Sequence, residues 1–150
     1  MREHLIVTPQ GRIAWLQQVA GNRHDVNGLY ALLKTPFRGA LLADCAYQPN
    51  KNQALRLQAH GIRVHAAQKS NARHPRPKAL RNWLHQRRRK IERRIALLDE
   101  QFHAGRTLNR SCRHYEARRW TKALAHNAAY HINAAQGLPL ESVAHFKAAA

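Results

Sequence analysis

Near residue 67 the apolar residues of this chain change their period, and that change limits the layers it can build. Upstream the pattern is one of short strands. Leu5-Ile6-Val7-Thr8 reads as a buried strand closed by the turn residues Pro9-Gln10-Gly11, with Ile13 to Val19 as its hairpin partner. Gly21-Asn22 ends the pair. Asp25 is then positioned to cap a short helix from Val26 to Leu33, with Val26, Leu29, Tyr30 and Leu33 at helical spacing. Beyond Pro36-Phe37-Arg38-Gly39, Ala40 to Ala43 forms a short buried strand. Asn50 or Asn52 starts a helix carrying Leu55 and Leu57 that stops at Gly61, and Ile62-Arg63-Val64-His65 alternates as one more strand. Strands separated by helices in this manner imply an α/β layer with a partly parallel sheet.

Downstream the spacing is only helical. Leu80, Leu84, Ile91, Ile95, Leu98 and Phe102 predict one helix stopped by Gly105. Tyr115, Trp120, Leu124, Ala128 and Ile132 predict a second that ends near Gly137 and Pro139. Gln68 to Lys78, polar, basic and carrying two prolines, reads as a flexible loop, and Leu140 to Ala150 as a weakly structured tail. Trp83 and Trp120 lie at helical spacing beside Leu80, Leu84 and Leu124, so both are expected in the core rather than stacked on bases.

Charge narrows the partners. Among 150 residues, 26 Lys and Arg face only 8 Asp and Glu, a formal net charge of +18 spread along the chain. A field of that sign favours polyanions, of which nucleic acid is the commonest. No apolar run is long enough to span a bilayer, and Met1-Arg2-Glu3-His4 opens a strand pattern rather than a signal peptide, so a soluble cytoplasmic protein with no membrane partner is expected. Cys45 and Cys112 are isolated from each other, and the 11 histidines are scattered, which argues against a disulfide framework or a zinc knuckle. Arg73, Arg76, Lys78, Arg81, Arg87, Arg88, Arg89, Lys90, Arg93 and Arg94 crowd one stretch in which Glu92 is the single acid. Contact with DNA phosphates is expected there, above all from Arg81, Arg87 to Lys90, Arg93 and Arg94. Arg110, Arg113, Arg118, Arg119 and Lys122 extend the basic surface onto the last helix.

Against that background two acids stand out. Asp44 ends the run Leu41-Leu42-Ala43, at the carboxyl end of a strand where open α/β sheets place their ligands. Glu92 lies one position after Ile91 and three before Ile95, and so is expected to face the sheet at the edge of the core. Carboxylates from a strand end and a helix suit Mg²⁺, and two such ions roughly 3.5 to 4 Å apart serve phosphoryl transfer. The plainer alternative pairs Glu92 with Arg88, Arg89 or Lys90 on its own helix and leaves Asp44 as a cap.

Four blocks carry a resemblance. Leu42-Ala43-Asp44-Cys45-Ala46-Tyr47 resembles the L-A-D-x-G-Y block around the second aspartate of bacterial insertion-sequence transposases of the DDE class. Arg88-Arg89-Lys90-Ile91-Glu92, followed by Ile95, Leu98, Gln101 and Phe102, resembles the block around their terminal glutamate. Val7-Thr8-Pro9-Gln10-Gly11 and Gly21-Asn22-Arg23-His24-Asp25 are similar to the T-x-x-G and G-N-x-H-D segments that precede the second aspartate. The blocks occur in the family's order over residues 3 to 103.

The resemblance implies a ribonuclease H-like fold in which Asp44 and Glu92 are the second and third members of a triad that is catalytic and binds Mg²⁺ or Mn²⁺. It also implies cutting and rejoining of DNA at mobile-element ends and in target DNA. Some positions depart from the pattern. The family's first aspartate sits on a strand before the hairpin, Glu3 is badly placed to replace it, and Asp25 matches the helix-start segment as an N-cap. Ala46 stands where the family has Gly, and Asp99 where many relatives carry a DNA-contacting residue.

The expected fold is therefore α/β: an incomplete ribonuclease H-like domain over 1–104, with a mixed sheet and an N-terminal hairpin, then a helical extension over 105–136 and a tail over 137–150. Uncovered apolar faces would favour a homodimer. The leading function is that of a DNA transposase with impaired Mg²⁺-dependent cleavage and strand transfer. The alternatives are a non-catalytic basic nucleic-acid-binding protein and a metal-dependent nuclease acting alone.

Overall fold

A computed structural model describes residues 2–69, 71–103 and 111–141. Its elements are β1 (Arg2–Val7), β2 (Ile13–Val19), a 3-10 helix (Asp25–Lys34), β3 (Gly39–Ala43), a 3-10 turn (Cys45–Tyr47), α1 (Lys51–Ala59), β4 (Ile62–Ala66), α2 (Lys78–Gln101) and α3 (Cys112–Ala135). The chain divides into two compact units. One comprises Met1–His4 and Val19–Ile91, the other Leu5–Gln18 and Glu92–Ala150. Gly105, Arg110 and the tail beyond Glu141 lie outside the described residues.

The first unit is built on a parallel pair. β3 and β4 run side by side in the register Gly39↔Ile62 to Ala43↔Ala66, and α1 between them packs on β4. The capping box explains why this short, polar helix starts where it does. Asn50 Oδ1 accepts from the Gln53 amide at 2.9 Å, and Gln53 Oε1 accepts from the Asn50 amide at 2.8 Å. Leu57 is buried while Leu55 is exposed. Gly61, at φ +72°, then turns the chain into β4, where a Cβ would come within 2.9 Å of Arg38 Cδ. Together Leu32, Leu57 and Ile62, almost wholly buried, are each worth about 1.5–3 kcal/mol of apolar burial.

Between β2 and β3 the expected α-helix is instead a 3-10 helix. Its buried leucines, Leu29 and Leu32, are three residues apart, one full turn of a 3-10 helix. Asp25 does not cap it. His24 occupies the N-cap without a side-chain bond, and Asp25 instead pairs with Arg2 at 2.9 Å.

In the second unit the Leu5–Gln18 part of the β1–β2 hairpin meets α3 and the later turns of α2. Ile13, Leu16, Leu98 and Ala123 form its core, with Leu5 and Phe102 against them. Asn127 of α3 fastens the start of β2 at both backbone groups: its Oδ1 accepts from Ile13 N at 2.8 Å and its Nδ2 donates to Ile13 O at 2.9 Å. Ser111 caps α3 by accepting from the His114 amide, and Gly137 at φ +67° ends it.

Two expectations are corrected here. The strands do not join one mixed sheet; among the described residues there are two two-stranded sheets, β1–β2 and β3–β4. The tryptophans are not core residues, since Trp83 is 43% and Trp120 39% exposed. Leu84 and Leu98 of α2, and Ala123, His126, Ala129 and Tyr130 of α3, take the buried places along the two helices.

Candidate nucleic-acid interface and carboxylate positions

Asp44 follows directly on Ala43, the last paired residue of β3. Its extended backbone lets the side chain turn back, and Oδ1 accepts from the Ala46 amide at 2.8 Å. This bond fixes one carboxylate oxygen and turns the chain into the Cys45–Tyr47 helix. Ala46 causes no strain in that turn, because His103 is the one non-glycine residue with positive φ among those described. Glycine is thus not required at this position by the backbone.

Tyr47 closes the same turn from the other end. Its hydroxyl lies 2.6 Å from Nδ1 of His4 on β1, with the two rings edge to face at 5.5 Å. His4 is 3% exposed, and its ring occupies the space above Gly28, where a Cβ would stand 2.7 Å from three ring atoms. Burial lowers the His4 pKa and, with help from Asp25 and Asp44, pushes the Tyr47 hydroxyl up to about 12. Both groups are therefore neutral at pH 7. Sequence reasoning quoted Tyr47 within a block but gave it no task, and gave His4 none; only their meeting in space reveals one.

Glu92 is exposed on α2, not turned toward a sheet at the core edge as its spacing suggested. Its neighbour Ile91 takes the inner position and is half-buried, while Ile95 is also exposed. Arg81, Arg87, Arg88, Arg89, Lys90 and Arg93 are all exposed along the same helix. The Arg87 guanidinium lies over the Trp83 ring at 5.5 Å.

Arg94 is set apart from these. Its side chain is 14% exposed, pairs with Glu141 at 2.5 Å, lies 5.5 Å over the Tyr130 ring and packs against Gly11. Such surroundings suit an internal tie better than a phosphate contact. On α3, Arg113 and Arg118 are exposed, whereas Lys122 donates to the His103 carbonyl, and burial lowers its pKa.

Within either unit, no group of three His, Cys, Asp or Glu side chains is gathered for a metal among the described residues. The donors at issue are nevertheless of the right kind. Asp44, with Oδ1 held by an amide, still presents Oδ2, and Glu92 carries a second carboxylate, the hard oxygen chemistry that Mg²⁺ and Mn²⁺ take.

Comparison with known families decides the membership. The transposase DDE domain model matches residues 1–128, a span that runs from β1 into α3. The chain belongs to the transposase DDE domain family. Membership carries with it a ribonuclease H-like fold and a general transposase function. The small sheets and helices above are the mixed α/β elements that the transposase domain displays in this chain. No curated protein and no solved structure matches it. No described helix of this transposase domain is long and apolar enough to cross a membrane.

Proposed function

We propose that this transposase domain binds DNA through the exposed cations of α2 and cleaves and rejoins its phosphodiesters with Asp44 and Glu92 as metal-holding carboxylates. The observation that supports this most is the position of Asp44 immediately after a paired strand end of the parallel β3–β4 sheet, the usual ligand side of such sheets. Arg81, Arg87, Arg88, Arg89, Lys90 and Arg93 would meet phosphates and set the DNA's position. Arg94 would steady the second unit.

A bound Mg²⁺ or Mn²⁺ would supply Lewis-acid stabilisation of charge at the phosphate oxygens. Asp44 would hold it with a carboxylate preset by the Ala46 amide, and Glu92 from α2. With two carboxylates assigned rather than three, slow cleavage is expected. The DNA substrates would be mobile-element ends and target DNA, and a homodimer would cover exposed apolar residues such as Leu80 and Leu124.

A second reading, DNA binding without cleavage, draws on the exposure of Glu92 amid arginines. Nicking of supercoiled DNA by the full chain separates the two. Cleavage that needs Mg²⁺ or Mn²⁺ and disappears in both Asp44→Asn and Glu92→Gln supports the first. DNA retention without metal-dependent nicking supports the second.

A further inference from the structure

The carboxyl ends of β3 and β4 open onto a cavity of about 390 Å³ lined by Cys45, Gln48, Ala67, Gln68, Lys69 and Arg76, among others. Its position follows from the topology. Ala43 and Ala66 are the last paired residues of the two strands, and the wall takes up Cys45, two residues after the first, and Ala67, directly after the second. The loop beyond β4, expected from sequence to be flexible, is folded back on itself. Gln68 Oε1 accepts from the Arg76 amide at 2.7 Å, Gln68 Nε2 donates to the His74 carbonyl at 3.0 Å, and Arg76 Nη1 donates to the Ala66 carbonyl at 2.8 Å.

Lys69 and Arg76 are the charged lining residues, both cationic, with the alanines Ala67 and Ala72 beside them. A guanidinium has five N–H donors, and the Ala66 carbonyl takes one. The cavity falls within the size range of small-ligand sites. Cationic donors next to small apolar side chains suit a ligand with a phosphate at one end and a flat, weakly polar body at the other.

We propose that this cavity is a nucleotide subsite, which takes one phosphate-bearing nucleotide of a DNA strand. Lys69 and Arg76 meet the phosphate, and the base lies against Ala67 and Ala72. The subsite rests on the reading of the chain as DNA-binding, and it would hold a strand beside Asp44, the residue before Cys45.

Cys45 supplies the probe, because its thiol is free, as is that of the exposed Cys112 on α3. The test follows iodoacetamide alkylation of both cysteines in the full chain by peptide mass spectrometry, with deoxyadenosine 5′-monophosphate, deoxyadenosine or inorganic phosphate added. At twice its Kd the nucleotide should slow alkylation of Cys45 about threefold, the factor 1 + [L]/Kd, and leave Cys112 unchanged. Lys69→Ala should remove most of that protection, and deoxyadenosine should give less than the nucleotide.

Equal Cys45 alkylation with and without nucleotide overturns the subsite, as does protection that Lys69→Ala leaves intact. Fluorescence anisotropy of a labelled oligonucleotide on the same samples judges the DNA reading separately. DNA binding with Cys45 unprotected by nucleotide overturns the subsite alone. Protection by the nucleotide without oligonucleotide binding overturns the DNA reading and supports a nucleotide site.

Discussion

Nδ1 of His4 and the hydroxyl of Tyr47 meet at 2.6 Å, and through that bond β1 holds the turn that presents Asp44. Tyr47 is the last residue of the Cys45–Tyr47 helix whose first amide bonds are organised by the Asp44 side chain. The imidazole and the phenol, both neutral, share one hydrogen bond whose donor is set by the His4 tautomer. Tyr47→Phe removes the hydroxyl and leaves Nδ1 without a partner, at a cost of about 1–3 kcal/mol. Urea unfolding should show the loss. Amide exchange at Ala46 should accelerate while exchange at Leu41 within β3 keeps pace with global stability. Unchanged Ala46 exchange in Tyr47→Phe would mean that the tyrosine does not hold the turn.

Acid should weaken the fold before the carboxylates titrate. Burial lowers the pKa of both His4 and His126 from the ordinary 6.5, so near that value the unfolded chain binds more protons than the folded one. Stability is then full above about 6.5 and declines as pH falls below it. Thermal unfolding followed between pH 7.5 and 5.5 should show a falling Tm, and His126→Gln should make the decline shallower. A Tm that is flat or rises on acidification would contradict the burial of these two rings.

The cations of α2 predict how binding responds to salt. Each phosphate contact contributes about 0.9 to the slope of log K against log salt. Arg87→Gln, Arg88→Gln and Arg89→Gln combined should therefore reduce the slope by up to roughly 2.7. Arg94→Gln should leave the slope unchanged and lower stability, because it removes the tie to Glu141 and Tyr130. Equal effects of Arg94 and Arg87 on the slope would place Arg94 among the DNA contacts.

Asn127 gives a test of the second unit. Its amide satisfies both backbone groups of Ile13, so Asn127→Ala strands a donor and an acceptor where β2 begins, costing about 1–3 kcal/mol for each buried group left unpaired. Chemical denaturation measures this directly, and a loss below a few tenths of a kcal/mol would show that water replaces the asparagine.

Much of this was legible in the sequence where the signal was local. Ile13 to Val19, the Asn50 start of α1, the parallel pairing implied by strand–helix–strand order and the end of α3 near Gly137 all rest on turn, cap and period chemistry. What spacing could not show was long-range competition. Asp25 looked like a cap until Arg2 took its carboxylate. Glu92 looked like a core-edge residue because a helical stripe gives a direction without saying which part of it is covered. The strands looked like one sheet because alternation within a strand does not name its neighbour. His4 and Tyr47, and the cavity walled by Gln68 and Arg76, arise from residues brought together by the fold, for which no short motif exists.

The central proposal is that Asp44 and Glu92 are metal-holding carboxylates. Mn²⁺ binding to the full chain, read by electron paramagnetic resonance as loss of the free-ion signal, tests it most directly. The account predicts that Asp44→Asn and Glu92→Gln each reduce the Mn²⁺ bound. Mn²⁺ uptake left unchanged by either substitution would contradict it.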